Sequence, residues 1–237
     1  MSEGLALRML AYPKVNLMKR LFIFILIGCL ATWMQAAEPS PDFARWEKEI
    51  AAIEQRDAEQ KPAAGTTVFV GSSSIRLWDL KQSFPDLATV NHGFGGSTIA
   101  DSVHFVDRLV LKLAPKTIVF YAGDNDLANG LSPEQLQADF AQFVKAVREK
   151  LPESKIIYIP IKPSPSRWKL YDKQKQANAL IRATIAKDGR RSVYLDIVTP
   201  MLGDDGQPRP ELFQEDQLHL NAAGYAIWNK LLLPELK

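Results

Sequence analysis

Between Thr66 and Leu233 the chain alternates short apolar runs with longer stretches of helical periodicity, and little else can fold that way. The strand-like runs are Thr66–Val70, Leu87–Asn91, Thr117–Tyr121, Lys155–Ile161 and Ser192–Ile197. Helical patterns follow them at Ser74–Gln82, about Thr98–Leu113, from Pro133 behind the cap residue Ser132, Tyr171–Lys187 and Ala222–Leu233. Ile118-Val119-Phe120 and Ile156-Ile157-Tyr158-Ile159 are apolar at every position, as strands buried on both faces must be. Strands alternating with helices at this spacing predict an α/β protein of three layers, α/β/α, around a central, mainly parallel five-stranded sheet. A further helix is expected from Pro41 to Lys61, with Asp42 as its cap and Phe43, Trp46, Ile50 and Ile53 on one face. At 237 residues the chain has material for one good core.

The N-terminal segment stands apart. Lys19-Arg20 precede the apolar run Leu21–Ile27, which continues weakly to Trp33 before Ala36-Ala37 and a polar stretch. Basic flank, short apolar core and small-residue end are the layout of an export signal, so residues 1–37 are expected to be a leader and 38–237 the exported domain. The translation start is either Met1 or Met18, where a leader of more usual length begins. Leu26-Ile27-Gly28-Cys29 resembles a bacterial lipobox, which offers lipid anchoring at Cys29 as an alternative to simple cleavage or to a retained signal. Cys29 is the only cysteine, so the domain carries no internal disulfide.

Charge narrows the partners. Arg8, Lys14, Lys19 and Arg20 face Glu3 alone in the leader; removing them from 29 basic and 27 acidic residues leaves 25 against 26. A nucleic-acid binder would usually show a basic excess, and the totals offer none.

The strand exits carry the unusual residues, and in a parallel sheet the first three must share one edge. After the first strand comes Gly71-Ser72-Ser73-Ser74. A serine in a tight strand-to-helix corner is placed to act as a nucleophile, although a glycine-serine turn that merely caps a helix is common. After the second comes Asn91-His92-Gly93-Phe94-Gly95-Gly96-Ser97-Thr98. Its glycine spacing is not a dinucleotide fingerprint, and no Gly-Lys-Ser/Thr follows. Glycines there would let a backbone N–H approach a developing oxyanion closely, while a lone loop histidine such as His92 is more often structural. After the third comes Tyr121-Ala122-Gly123-Asp124-Asn125-Asp126. The two carboxylates would suit a metal with oxygen ligands, but no further acidic cluster completes such a site. Asn125 can instead donate its side-chain N–H to developing negative charge. Before the last helix stands Asp216-Gln217-Leu218-His219, where a carboxylate separated by two residues from an imidazole can hold its tautomer for general-base work.

Taken together, in this order, these residues resemble the SGNH hydrolases, also called the GDSL family of lipases and esterases. The resemblance covers about residues 66–235. It implies a flavodoxin-like sheet, Ser73 as nucleophile, Asp216 and His219 as its acid and base, and an oxyanion hole from Ser73, Gly96 and Asn125. It implies no cofactor and no metal. The family's Gly-Asp-Ser is here Gly71-Ser72-Ser73, which leaves Ser72 and Ser74 as rivals for the nucleophile position. The expected activity is hydrolysis of esters with small acyl groups, an acetylated carbohydrate among them, failing at low pH where the histidine is protonated. Lysophospholipids and thioesters are the alternative substrates. A non-catalytic carbohydrate-binding module on the same fold is a second class, and a flavodoxin-like nucleotide binder a third. Ile161–Trp168 leaves the fourth strand toward the same edge, so Arg167 could meet an anionic group and Trp168 could stack on a sugar. Oligomeric state is not legible.

Overall fold

The computed structural model describes residues 42–237, so the expected leader and Cys29 lie outside the described residues. The chain enters through a 3-10 turn, Phe43–Trp46, into α1 (Glu47–Gln60). Asp42 makes no capping bond, contrary to expectation. The elements then run β1 (Thr67–Gly71), α2 (Ser73–Arg76), α3 (Leu80–Ser83), β2 (Thr89–Gly93), α4 (Ile99–His104), α5 (Val106–Leu109) and β3 (Thr117–Tyr121). They continue through α6 (Asp124–Ala128), α7 (Pro133–Lys150), β4 (Lys155–Tyr158), α8 (Tyr171–Asp188), β5 (Ser192–Tyr194) and α9 (Ala222–Leu232).

All five strands are parallel and ordered β2-β1-β3-β4-β5, with helices on both faces. The twofold period of a strand sorts the core into two layers. Val68, Val70, Ile118, Phe120, Ile156 and Tyr158 point to one face, where they pack with residues of α1, α4, α5, α7 and α8. Phe69, Val119, Tyr121, Ile157 and Ile159 point to the other, against Ile75, Trp78, Leu80, Trp228 and Leu232. Every strand residue in the two groups is fully buried.

Several elements are shorter than the periodicity predicts, each for a local reason. The helix expected over Ser74–Gln82 is two single turns. Asp79 caps the second by accepting the Gln82 N–H (2.9 Å), which competes with carrying the first one onward. The helix expected over Thr98–Leu113 breaks at Phe105 into α4, α5 and a 3-10 turn, Leu111–Leu113. β4 stops at Tyr158. The Ile159 N–H still reaches Phe120 O (2.9 Å), but Pro160 has no N–H to continue the ladder. Beyond β5, Asp196 accepts the N–H groups of Val198 and Thr199 and turns the chain away. The Ser132 cap of α7 forms as expected, in a capping box with Gln135.

This order has one reversal point. From β1 the chain crosses to β2 on one side, and from β3 it crosses to β4 on the other. The carboxyl ends of β1 and β3 lie side by side, Gly71 opposite Tyr121. In open parallel sheets that divergence leaves a crevice where ligands bind.

Candidate functional site

The corner after β1 begins with a glycine that nothing else could replace. Gly71 has φ +135°, and a Cβ there would lie 1.9 Å from the Tyr121 carbonyl oxygen. That carbonyl accepts the Ser72 N–H (3.0 Å), and Gly71 O accepts the Phe94 N–H (2.9 Å), so the corner is stitched to both neighbouring strands. Ser72 and Ser74 are buried, while Ser73 is half-buried at the edge. The Ser73 N–H opens a helix, one of the groups that a helix leaves unpaired.

The loop before α9 brings the histidine to it. A bridge between Phe213 and Leu220 closes this loop, and the Gln214 N–H donates to His219 O (2.8 Å). Gln217 takes a left-handed φ of +54° at its tip. Asn221 caps α9 and ties back through Nδ2 to the Glu211 and Phe213 carbonyls. Within the loop Asp216 Oδ1 accepts the N–H groups of Leu218 and His219, both at 2.9 Å, and Oδ2 meets His219 Nδ1 at 2.5 Å. Partial desolvation works against the Asp216 charge. The hydrogen bonds from the His219 ring and from the two backbone amides outweigh it and lower the carboxyl to about 2. A carboxylate can only accept, so in the neutral imidazole Nδ1 carries the proton. Nε2 then presents its lone pair to Ser73 Oγ, 3.0 Å away. Of the three serines, Ser73 is the one joined to His219.

The glycine loop and the β3 exit are fastened to each other. Gly96 has φ +84°, with Trp46 packed over it. Asn125 Nδ2 donates to Ser97 O (3.0 Å), and Asp126 Oδ1 accepts the Ile99 N–H (2.9 Å), so α6 clamps the loop at two places. His92 is structural, as its lone position suggested. Its Nδ1 meets Leu109 O (2.6 Å) and its Nε2 meets Asp57 (3.1 Å), tying β2 to α5 and α1. Among the described residues no group of three or more His, Cys, Asp or Glu is arranged to hold a metal, and no helix is long and apolar enough to cross a membrane.

Residues 63–227 match the GDSL-like lipase/acylhydrolase family. The chain belongs to this family. A comparison with curated proteins finds no match. Solved structures share the fold. A Streptococcus pneumonia protein named for platelet activating factor superposes with TM-score 0.73 at 17% identity, covering 94% of this chain and 100% of its own. A GDSL-like lipase from Bacteroides thetaiotaomicron gives 0.64 at 20%, covering 82% and 97%. A variant of Axe2, an acetyl-xylooligosaccharide esterase from Geobacillus stearothermophilus, gives 0.60 at 16%, covering 74% and 96%.

In this GDSL-family member the loop after β4 completes a buried ion cluster. Lys162 is 1% exposed and Asp124 3% exposed. Lys162 Nζ reaches both Asp124 Oδ2 and Tyr121 Oη at 3.0 Å, and Arg167 Nη1 lies 2.8 Å from Asp124 Oδ1. Burial alone would raise the Asp124 carboxyl, but the two cations override it and hold it below the usual carboxylate range. Tyr121, wholly buried, is pushed well above the usual phenol range and stays neutral. The sequence signal was present: a lysine inside the apolar run Ile159-Pro160-Ile161-Lys162-Pro163 needs a buried partner. What it could not name was the partner. Arg167, expected to face substrate, spends its other arm on Asn125 Oδ1 (3.0 Å). Trp168 stacks on Tyr171 at 4.1 Å between ring centroids. A surface cleft lined by Arg56, Arg76, Trp78, Asn91 and Gly93 contains neither Ser73 nor His219.

Proposed function

We propose that this GDSL-family acylhydrolase is an exported serine esterase acting on small acyl groups. The observation that carries the reading is the continuous chain Asp216–His219–Ser73, laid across the crevice where the sheet order reverses. In this reading Ser73 Oγ attacks the ester carbonyl carbon while its proton passes to His219 Nε2. Asp216 holds the ring and stabilises the imidazolium. The tetrahedral oxyanion is met by the N–H groups of Ser73 and Gly96 and by the second Nδ2–H of Asn125, the first being occupied by Ser97 O. Collapse expels the alcohol, which takes the proton from His219. Water, deprotonated by the same nitrogen, then releases the acid from Ser73.

Two features support a small acyl group. The His219 side chain is 24% exposed and Ser73 half-buried, so the pair sits at an open edge. One structural neighbour is an acetyl-xylooligosaccharide esterase, which makes an acetylated glycan a reasonable first panel. Export rests on the basic and apolar pattern of residues 1–37, with Cys29 as the candidate lipidation site.

The test is hydrolysis of p-nitrophenyl acetate and butyrate by residues 38–237, beside Ser73→Ala and His219→Ala. Loss in both folded variants supports the mechanism. Activity surviving Ser73→Ala would move the nucleophile to Ser72 or Ser74. An inactive wild type that also fails to react with a fluorophosphonate would leave a binding module in place of an esterase.

A further inference from the structure

Resting on the serine-esterase reading, we propose that Arg167 is a positioning residue for the oxyanion hole: it sets the orientation of the Asn125 amide and stabilises its charge-facing N–H. An asparagine amide can sit in two orientations, and only the one that turns Nδ2 toward the reacting carbonyl stabilises an oxyanion. Here two contacts choose between them. Asn125 Nδ2 donates to Ser97 O at 3.0 Å, and Arg167 Nη2 donates to Asn125 Oδ1 at 3.0 Å. Flipping the amide would set oxygen against oxygen at Ser97 and N–H against N–H at Arg167, so the two contacts reinforce each other. The guanidinium also draws electron density from Oδ1, which makes the remaining Nδ2–H a stronger donor.

Arg167 is itself held rigidly. Its other arm lies 2.8 Å from Asp124 Oδ1, and Asp124 Oδ2 is occupied by Lys162 and Tyr121. A planar fork with two arms can span Asp124 and Asn125 at once, which a lysine ammonium does less well. The formal charges of this cluster are two cations against one carboxylate, leaving one positive charge in excess beside Asn125. The same loop is also fastened to the histidine loop, since the Ser166 N–H donates to Gln217 O at 3.1 Å. One short segment thereby sets the distance between the base and the oxyanion donor.

The experiment is a double-mutant cycle on Arg167 and Asn125, run with the neutral substrate p-nitrophenyl acetate so that no anionic group engages arginine directly. The expected result for Arg167→Ala is a fall in kcat of about 30- to 100-fold with KM changed less than about twofold. Arg167→Lys should recover part of it, and Asn125→Ala/Arg167→Ala should be no slower than Asn125→Ala alone. The acid side of the pH profile should not move, because Arg167 does not touch His219. Thermal unfolding of each variant is measured alongside, and Arg167→Gln replaces the alanine variant if that one does not fold. A raised KM with kcat preserved would overturn the proposal, as would losses that multiply in the double variant or that match the unfolded fraction. Ser73→Ala serves as the control. If it keeps the wild-type rate, the serine reading fails; if it is inactive and the cycle is additive, only the Arg167 proposal fails.

Discussion

At the scale of single residues, the site depends on a few positions where the backbone or a proton leaves no alternative. Gly71→Ala must push a methyl group into the Tyr121 carbonyl at a φ that side chains rarely adopt. It is expected to destabilise the fold by about 3 kcal/mol or more, read as a lower urea midpoint, and to abolish hydrolysis in whatever remains folded. His219 sets a different limit. Its Nε2 must be unprotonated to take the Ser73 proton, so kcat/KM should fall as pH is lowered. Asp216, held at about 2, stays ionised throughout an ordinary assay range. The acid limb should therefore show one ionisation with a slope of one; a slope of two between pH 4 and 7 would mean that the carboxylate titrates with the ring.

At the scale of elements, the exits of β1, β2, β3 and β4 converge, and two buried carboxylates on α6 join them. Asp124 pairs with Lys162 and Arg167 from the β4 loop, and Asp126 holds the Ile99 N–H of α4. Removing one partner from a buried charge cluster exposes the others to an uncompensated desolvation cost. Asp124→Ala leaves two cations facing each other, and a loss of about 3–5 kcal/mol in denaturant stability is expected. Lys162→Met removes the cation in excess and should cost distinctly less, because Arg167 still pairs with Asp124. Equal losses for the two variants would show that packing volume, not charge, governs the cluster.

At the scale of the whole molecule, acid and base work on stability in opposite senses. Burial raises Asp126 from an ordinary carboxylate to about 7 in the folded state. Between about pH 4 and 7 the folded chain then holds a proton that the unfolded chain has released, so this group's contribution to stability falls as pH rises. Asp124, Asp188 and Glu54 are lowered instead, and their contributions are lost as pH falls below the ordinary carboxylate range. Tm of the wild type should thus decline from pH 5 toward pH 7. Asp126→Asn keeps an acceptor for Ile99 and should flatten that decline. A wild-type Tm that rises over this range would contradict the assignment.

Much of this molecule was legible in order along the chain, because its signals are local. The strand cores, the Ser132 cap, the glycine corner and the Asp216–His219 pair each depend on residues within a few positions of one another, and all formed near the expected places. The alternation of apolar runs with helical stretches was enough to determine a parallel three-layer fold, and the sequence of motif residues enough to determine the family. Helix breaks at Asp79 and Phe105 were less legible, since hydrophobic periodicity runs on through a cap or a kink. The family resemblance already implied that His219 serves Ser73, across 146 positions. What only the tertiary structure decided are the partnerships of the β4 loop, where Lys162 meets Asp124 across 38 positions and Arg167 meets Asn125 across 42. A lysine in an apolar run announces that it needs a carboxylate, and an arginine at a strand exit announces a charge near the edge. Which groups they reach depends on the order of strands in the sheet and on the side to which each crossover turns, and no local pattern of residues encodes either.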